Sequence, residues 1–178
     1  MGSARKNADS ALIVVVPEAE PLVAPFRLRF DPSAAAGVPA DITVLYPFLA
    51  PDTIDQEVLA TLGRCFAGFP PIAFQLAELR RFDGEALYLA PDPDEPFRQL
   101  TLAAWRLFPE HPPYDGRWPQ IVPHLSVAQP KQDSDNIVAE VGAAARDGLL
   151  IKAATKEVVL IENTNGRWTQ RAKFRLGS

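Results

Sequence analysis

Two tripeptides constrain this chain most. Asp41-Ile42-Thr43 follows Pro39 by one residue and opens the apolar run Val44-Leu45-Tyr46, and His124-Leu125-Ser126 directly follows Pro123 and runs into Val127. Each sets a titratable residue, an apolar residue and a hydroxyl in a row. Their surroundings recur too. After Asp41 the pattern predicts a strand over 42–46 and a helix opened by Pro51-Asp52-Thr53, with Thr53 and Gln56 as a capping box. An apolar stripe of Ile54, Val58, Leu62, Cys65 and Phe66 follows, and Gly68 stops the helix. A strand over 72–79, an Asp83-Gly84 turn and a strand over 86–90 complete a hairpin. After His124 come a strand over 125–128 and a helix capped by Asp133 or Ser134, carrying Ile137, Val141, Ala145 and Leu149. A strand over 155–162, a turn at Asn165-Gly166 and a last strand over 168–176 close the chain. Asp41 and His124 lie 83 positions apart, and Asp83 and Asn165 lie 82 apart. Two distant landmarks that keep step within one residue indicate an internal duplication of strand–helix–hairpin units, about 41–91 and 124–176.

Outside the two copies, Ala11–Val16 reads as a buried strand. Ala19, Leu22, Val23, Phe26 and Phe30 keep helical spacing, which Pro25 opposes. A loop over 31–37 leads to the first motif. Phe97, Leu100, Ala104, Leu107 and Phe108 form one face of a helix over 94–108, and a proline-rich loop over 109–123 leads to the second motif. The expected fold is α+β, a duplicated two-lobe arrangement with antiparallel sheets, outer helices and a cleft on a pseudo-twofold axis. Residues 11–178 form one bilobal domain behind a flexible stretch over 1–10.

Packing of the copies about such an axis brings equivalent residues to a shared cleft. Strand side chains alternate, so Thr43 faces the same side as Asp41, and Ser126 the same side as His124. The cleft floor is then expected to hold two titratable groups and two hydroxyls.

Composition narrows the partners. With 47% apolar residues the 178-residue chain buries a real core. The longest early apolar run, 11–16, is far short of the roughly 20 residues of a membrane span. No basic leader with a small-residue cleavage site precedes it, so no membrane partner is expected. Cys65 is alone and there are two histidines, which excludes an internal disulfide and argues against structural zinc. A reducing, cytoplasmic compartment is the expectation, with the chain a monomer. A net charge of −4 argues against wrapping DNA or long RNA. Residues 151–178 nevertheless carry six basic side chains against two acidic ones. That is either a solvated surface on edge strands or the neighbourhood of a small anion.

At its paired tripeptides the sequence resembles the two-histidine phosphoesterases, also called 2′–5′ RNA ligase-like proteins. That family carries two copies of His-x-Thr/Ser, each on a strand of a duplicated α+β lobe. Here His124-Leu125-Ser126 is complete, and Asp41-Ile42-Thr43 has Asp in place of the first His. Gly37-Val-Pro-Ala40, Tyr46-Pro-Phe48, Leu87-Tyr-Leu-Ala-Pro91 and the tail from Gly166-Arg-Trp168 to Leu176-Gly177 fit the same setting, so the likeness covers roughly 11–177.

The resemblance implies attack on phosphodiesters without a metal or other cofactor, on a small nucleotide or an RNA-end phosphate, 2′,3′-cyclic or 2′–5′ linked. Such chemistry needs one group to take a proton from the attacking water and another to protonate the departing oxygen, and groups titrating near 7 suit both tasks. Asp41 and His124 are the candidate pair, with Thr43 and Ser126 as hydrogen-bond donors to the non-bridging oxygens. An ordinary aspartate titrates near 4 and has no proton to give at neutral pH. Three readings stay open: Asp41 as base with His124 as acid, Asp41 as an acid raised by burial, or Asp41 as a loss of activity that leaves a nucleotide-binding or sensor protein. Tyr46, Phe48, Tyr88 and Trp168 are candidates for stacking a nucleobase, each with core packing as the plainer alternative. Arg80, Arg81 and Arg171 are candidates for clamping phosphate, each otherwise a solvated surface residue. His111 is expected on a surface loop.

Overall fold

Strand β1 (Asp9–Val15) is the apolar run expected near the start, and it pairs antiparallel with β2 (Asp41–Leu45). The two are joined by helices α1 (Glu20–Phe30) and α2 (Pro32–Ala35). The computed structural model describes residues 9–82, 86–129 and 134–177. Helix α1 forms around Pro25 because Val23 and Phe26 are buried; tertiary burial outweighs the proline's missing donor. Helix α2 replaces the expected loop, because the Asp31 side chain accepts from the Ser33 N–H and caps it.

Helix α3 (Gln56–Ala67) starts later than its sequence suggests. The Thr53 hydroxyl bonds back to the Ala50 carbonyl, so the expected Thr53–Gln56 box does not form, and Asp55 caps the helix through the Val58 N–H. Strands β3 (Ile72–Arg81) and β4 (Leu87–Asp92) pair antiparallel, followed by α4 (Glu95–Leu107). Strand β5 is Leu125–Ala128, as expected, and α5 is Ser134–Gly148. The Asp83-Gly84 turn and the capping roles of Asp133 and Ser134 lie outside the described residues. The strand expected over 155–162 forms as β7 (Glu157–Asn163), and a strand not expected from the sequence, β6 (Ile151–Thr155), precedes it, with Lys156 between them. The Asn165-Gly166 turn forms with Gly166 at φ +90° and its N–H on the Asn163 side chain, and β8 (Trp168–Arg175) follows.

One antiparallel sheet results, in the order β6-β3-β4-β5-β2-β1-β7-β8, so the two motif strands are central neighbours. Its two faces differ. Ile42, Leu125, Val127, Leu87, Leu89, Leu12 and Val14 point to one side and pack with Val23, Leu62, Phe66, Phe97, Leu100 and Val141 of the helices into the main core. Full burial of each large apolar side chain is worth roughly 1.5–3 kcal/mol. The other face carries the motif residues and, beyond β2, a small apolar patch of Ala11, Ile13, Val159 and Ile161 with Tyr46 and Trp168 against it. No helix among the described residues is long and apolar enough to cross a membrane.

Candidate functional site

Strands β2 and β5 meet at the pair Ile42–Leu125. In an antiparallel ladder that register sets Thr43 opposite His124 and Asp41 opposite Ser126, all four on the face away from the helices. Asp41 and His124 are diagonal neighbours, a relation that sets two residues about 7–8 Å apart with their Cβ atoms somewhat closer. Pro123 has no N–H with which to extend the ladder past His124. Beyond that point Thr43 and Val44 on one side and Ile121, Val122 and Pro123 on the other line a cavity of about 740 Å³. Its volume lies within the roughly 300–1,000 Å³ of small-molecule sites. Its walls include Tyr46, Arg80, Trp105, Tyr114 and Trp118, but not Asp41, His124 or Ser126.

The His124 ring is held on several sides. Its Nδ1 lies 2.7 Å from the Val122 carbonyl oxygen. A carbonyl only accepts, so Nδ1 carries a proton and the neutral ring presents a lone pair at Nε2. Phe82 and Tyr88 meet the ring edge to face at 5.0 and 5.6 Å, and Tyr114 lies nearly parallel at 6.3 Å. Burial pushes the imidazole's pKa down, against the pull of the Val122 bond.

Asp41 is half-buried, and loss of hydration raises its pKa from 3.8 to about 7. The Arg27 guanidinium and a hydrogen bond from the Thr43 hydroxyl, 3.3 Å away, oppose that rise, and the charges of Asp31 and Glu20 add to it. Arg27 is itself buried and paired with Asp31 at 3.2 Å. The guanidinium that pairs with Asp31 thus also acts on Asp41 through its charge.

The other candidates divide. Arg80, Tyr88, Ser126 and Asp41 form one row across β3, β4, β5 and β2. Arg80 reaches the cavity but is exposed and paired with Glu78 at 2.7 Å. Arg81 sits opposite core residue Leu87, on the helix side of the sheet. Arg171 is held away from the site by Glu162 and the carbonyls of Pro51 and Ile54. That bond and the Lys173–Glu157 pair absorb part of the basic tail locally. Tyr46 lines the cavity and meets Trp168 edge to face at 6.1 Å. Tyr88 is buried and stacked on Phe82 at 4.1 Å. Phe48 is a core residue against Phe108 and His111, which accounts for that histidine's place. Among the described residues no cluster of three or more His, Cys, Asp and Glu is arranged to hold a metal.

The sequence showed the loop over 109–123 but not what it brings to the site. That loop delivers Tyr114 beside His124 and Thr43 and lines the cavity with Trp118, while α4 contributes Trp105. Two tryptophans near a proline-rich segment were the available signal, but loop sequence carries no register to say where they point.

Comparison with known proteins bears on the family and the fold. The pattern of the 2′-5′ RNA ligase superfamily matches residues 15–167. A Bacillus pumilus (strain SAFR-032) protein provisionally named a phosphoesterase is 29% identical over 161 residues, covering 85% of this chain and 87% of that protein. A similarly named protein of Bacillus licheniformis is 24% identical over 156 residues, covering 86% and 89%. In fold, the chain resembles E. coli LigT in its crystal structure with 3′-AMP, with a TM-score of 0.60 at 15% identity, covering 97% of this chain and 100% of that one. It likewise resembles TT0787 of Thermus thermophilus, with a TM-score of 0.60 at 18% identity, covering 96% and 99%.

Proposed function

This chain belongs to the 2′-5′ RNA ligase superfamily, and from that premise we propose that it hydrolyses a phosphodiester in a small nucleotide or at an RNA end, 2′,3′-cyclic or 2′–5′ linked. The observation that carries the proposal is the β2–β5 register, which faces the two motifs toward each other on the open side of the sheet. Thr43 and Ser126 donate hydrogen bonds to the non-bridging phosphate oxygens. His124, neutral with its lone pair on Nε2, takes a proton from water as the oxygen bonds to phosphorus. The bond from phosphorus to the 2′ (or 3′) ribose oxygen breaks, and protonated Asp41 gives its proton to that oxygen. The product is a phosphomonoester. A carboxyl titrating near 7 and an imidazole titrating below its ordinary value suit these complementary roles. The cavity beyond Thr43 takes the organic part of the substrate, with Trp105 and Trp118 as stacking surfaces. The E. coli LigT complex with 3′-AMP supports a nucleotide monophosphate as the ligand class.

The test is turnover of nucleoside 2′,3′-cyclic phosphates and 2′–5′ dinucleotides by the chain, Asp41→His and His124→Ala. Turnover that is lost in His124→Ala supports the reading, and equal turnover in all three removes both residues from the chemistry. Asp41 also favours a second reading, a nucleotide sensor that binds in the same cleft without turnover. Tight calorimetric binding with no hydrolysis by the natural chain, and hydrolysis by Asp41→His, would establish it.

A further inference from the structure

Among the described residues, the cations that line the cavity or were candidates for it are committed to other partners, although the Arg117 charge acts on Tyr46. Arg80 is engaged by Glu78, Arg171 is held elsewhere, and Arg27 is committed to Asp31 behind Asp41. The other cation on the cavity wall, Arg98, is bonded to Asp94, Glu95 and the Ile121 carbonyl. The first motif also supplies a carboxyl where an imidazolium would attract an anion. A phosphate held here needs neutral donors beyond the hydroxyls of Thr43 and Ser126.

The 109–123 loop supplies one at a cost. Tyr114 and Asp115 both adopt left-handed backbone, at φ 51° ψ 38° and φ 55° ψ 28°. For residues other than glycine such conformations cost of order 1–3 kcal/mol each and persist only where surrounding structure enforces them, often at functional sites. Here the Tyr114 N–H donates to the Tyr46 carbonyl at 2.6 Å, pinning the loop to the end of β2. The ring then lies beside His124, and Tyr114 lines the same cavity as Thr43. Burial first, and the Asp41 charge after it, push the phenol up to about 12. It therefore keeps its proton through the neutral range and can only donate to an anion.

Resting on the phosphodiesterase reading for its ligand class, we propose that Tyr114 is a phosphate-binding residue of this site, donating its phenolic hydrogen to a non-bridging phosphoryl oxygen beside Thr43. The loop strain is what places that donor. Because the contact is made to the bound anion whether or not it reacts, the residue acts on affinity as well as on rate.

Inorganic phosphate is the probe, titrated calorimetrically into the natural chain and Tyr114→Phe. The phenylalanine keeps the ring against His124, and the loss is confined to one hydrogen bond to a charged group. The expected result is phosphate binding about 10-fold or more weaker in Tyr114→Phe, an unchanged melting temperature, and an additional effect of Thr43→Val smaller in that background than in the natural chain. Equal affinity in the two proteins overturns the proposal, and so does no measurable phosphate binding by the natural chain. Tighter binding by Tyr114→Phe overturns it in favour of a plug that phosphate must displace. Weaker binding by Tyr114→Phe with no hydrolysis by the natural chain upholds Tyr114 and rejects the enzymatic reading, so the two stand or fall separately.

Discussion

Thr43 and His124 face each other across the β2–β5 seam, one position beyond the Ile42–Leu125 pair. The seam ends there because Pro123 cannot donate, and the gap between the strands becomes the cavity. One proline thus ends the ladder, positions the histidine and opens the space beside it.

The proposed roles give a particular pH–rate profile. Hydrolysis needs His124 unprotonated and Asp41 protonated. Activity should rise as pH climbs through a histidine pKa set below its ordinary value, then fall as Asp41 ionises near 7. Asp41→Asn should remove the alkaline limb and lower kcat about 10²–10⁴-fold, the usual worth of an acid or base group. His124→Ala should lose a similar factor together with the acidic limb. Steady-state rates between pH 4.5 and 9 (about half a unit apart) check both; an alkaline limb that survives in Asp41→Asn would assign it to another group.

Stability should depend on pH in two opposing ways. Asp41 titrates at 3.8 when unfolded and about 7 when folded, so between those values the unfolded chain has already lost a proton that the folded chain still holds. Its contribution therefore falls as pH rises through that window and levels off above it. The depressed His124 acts in reverse, with stability lost as pH falls below the ordinary histidine value. Melting temperatures of Asp41→Asn, compared with the natural chain from pH 4 to 8, should show the Asp41 slope removed and the His124 slope retained.

Much of this was legible in sequence because strands and helices carry their own periodicities. The strand over 125–128 and the helix through Phe97, Leu100 and Ala104 stand as read, since each has one buried face and a period that identifies it. The matched offsets named the motif pair without any structure. Strand β6 was not legible, because it runs almost directly into β7 and exists as a separate strand only through its pairing with β3. Nor could the raised pKa of Asp41 be read, since it depends on burial and on the charges of Arg27, Asp31 and Glu20 that only the folded chain brings near it. Tyr114 was invisible for a related reason: its position follows from a left-handed backbone and a bond to Tyr46, neither of which leaves a periodic trace.

The Arg27–Asp31 pair links the fold to the site. Both side chains are nearly inaccessible, at 3% and 2%. Arg27→Met should leave the Asp31 carboxylate buried with only the Ser33 donors and cost about 3–5 kcal/mol. Pairing it with Asp31→Asn should recover much of that loss. Because the guanidinium holds the Asp41 pKa down, Arg27→Met should also move the alkaline limb of the rate profile upward. Denaturant midpoints and the pH profile read the two effects separately.

The last prediction separates the helix side of the sheet from the open side. Gly177 packs against the end of α3, where its N–H donates to the Phe69 carbonyl at 2.8 Å. A Cβ at that position would run into the Ala67 carbonyl oxygen, an overlap with backbone that no rotamer relieves. Gly177→Ala must lift the tail, break that hydrogen bond and loosen Leu176, which is buried in the main core. The expected loss is about 1–3 kcal/mol. Phosphate affinity and turnover should stay unchanged, because the tail packs on the face opposite Asp41 and His124. A lower urea midpoint at constant slope checks the first expectation. A change in turnover at temperatures where the variant is fully folded would show that the two faces of the sheet are coupled.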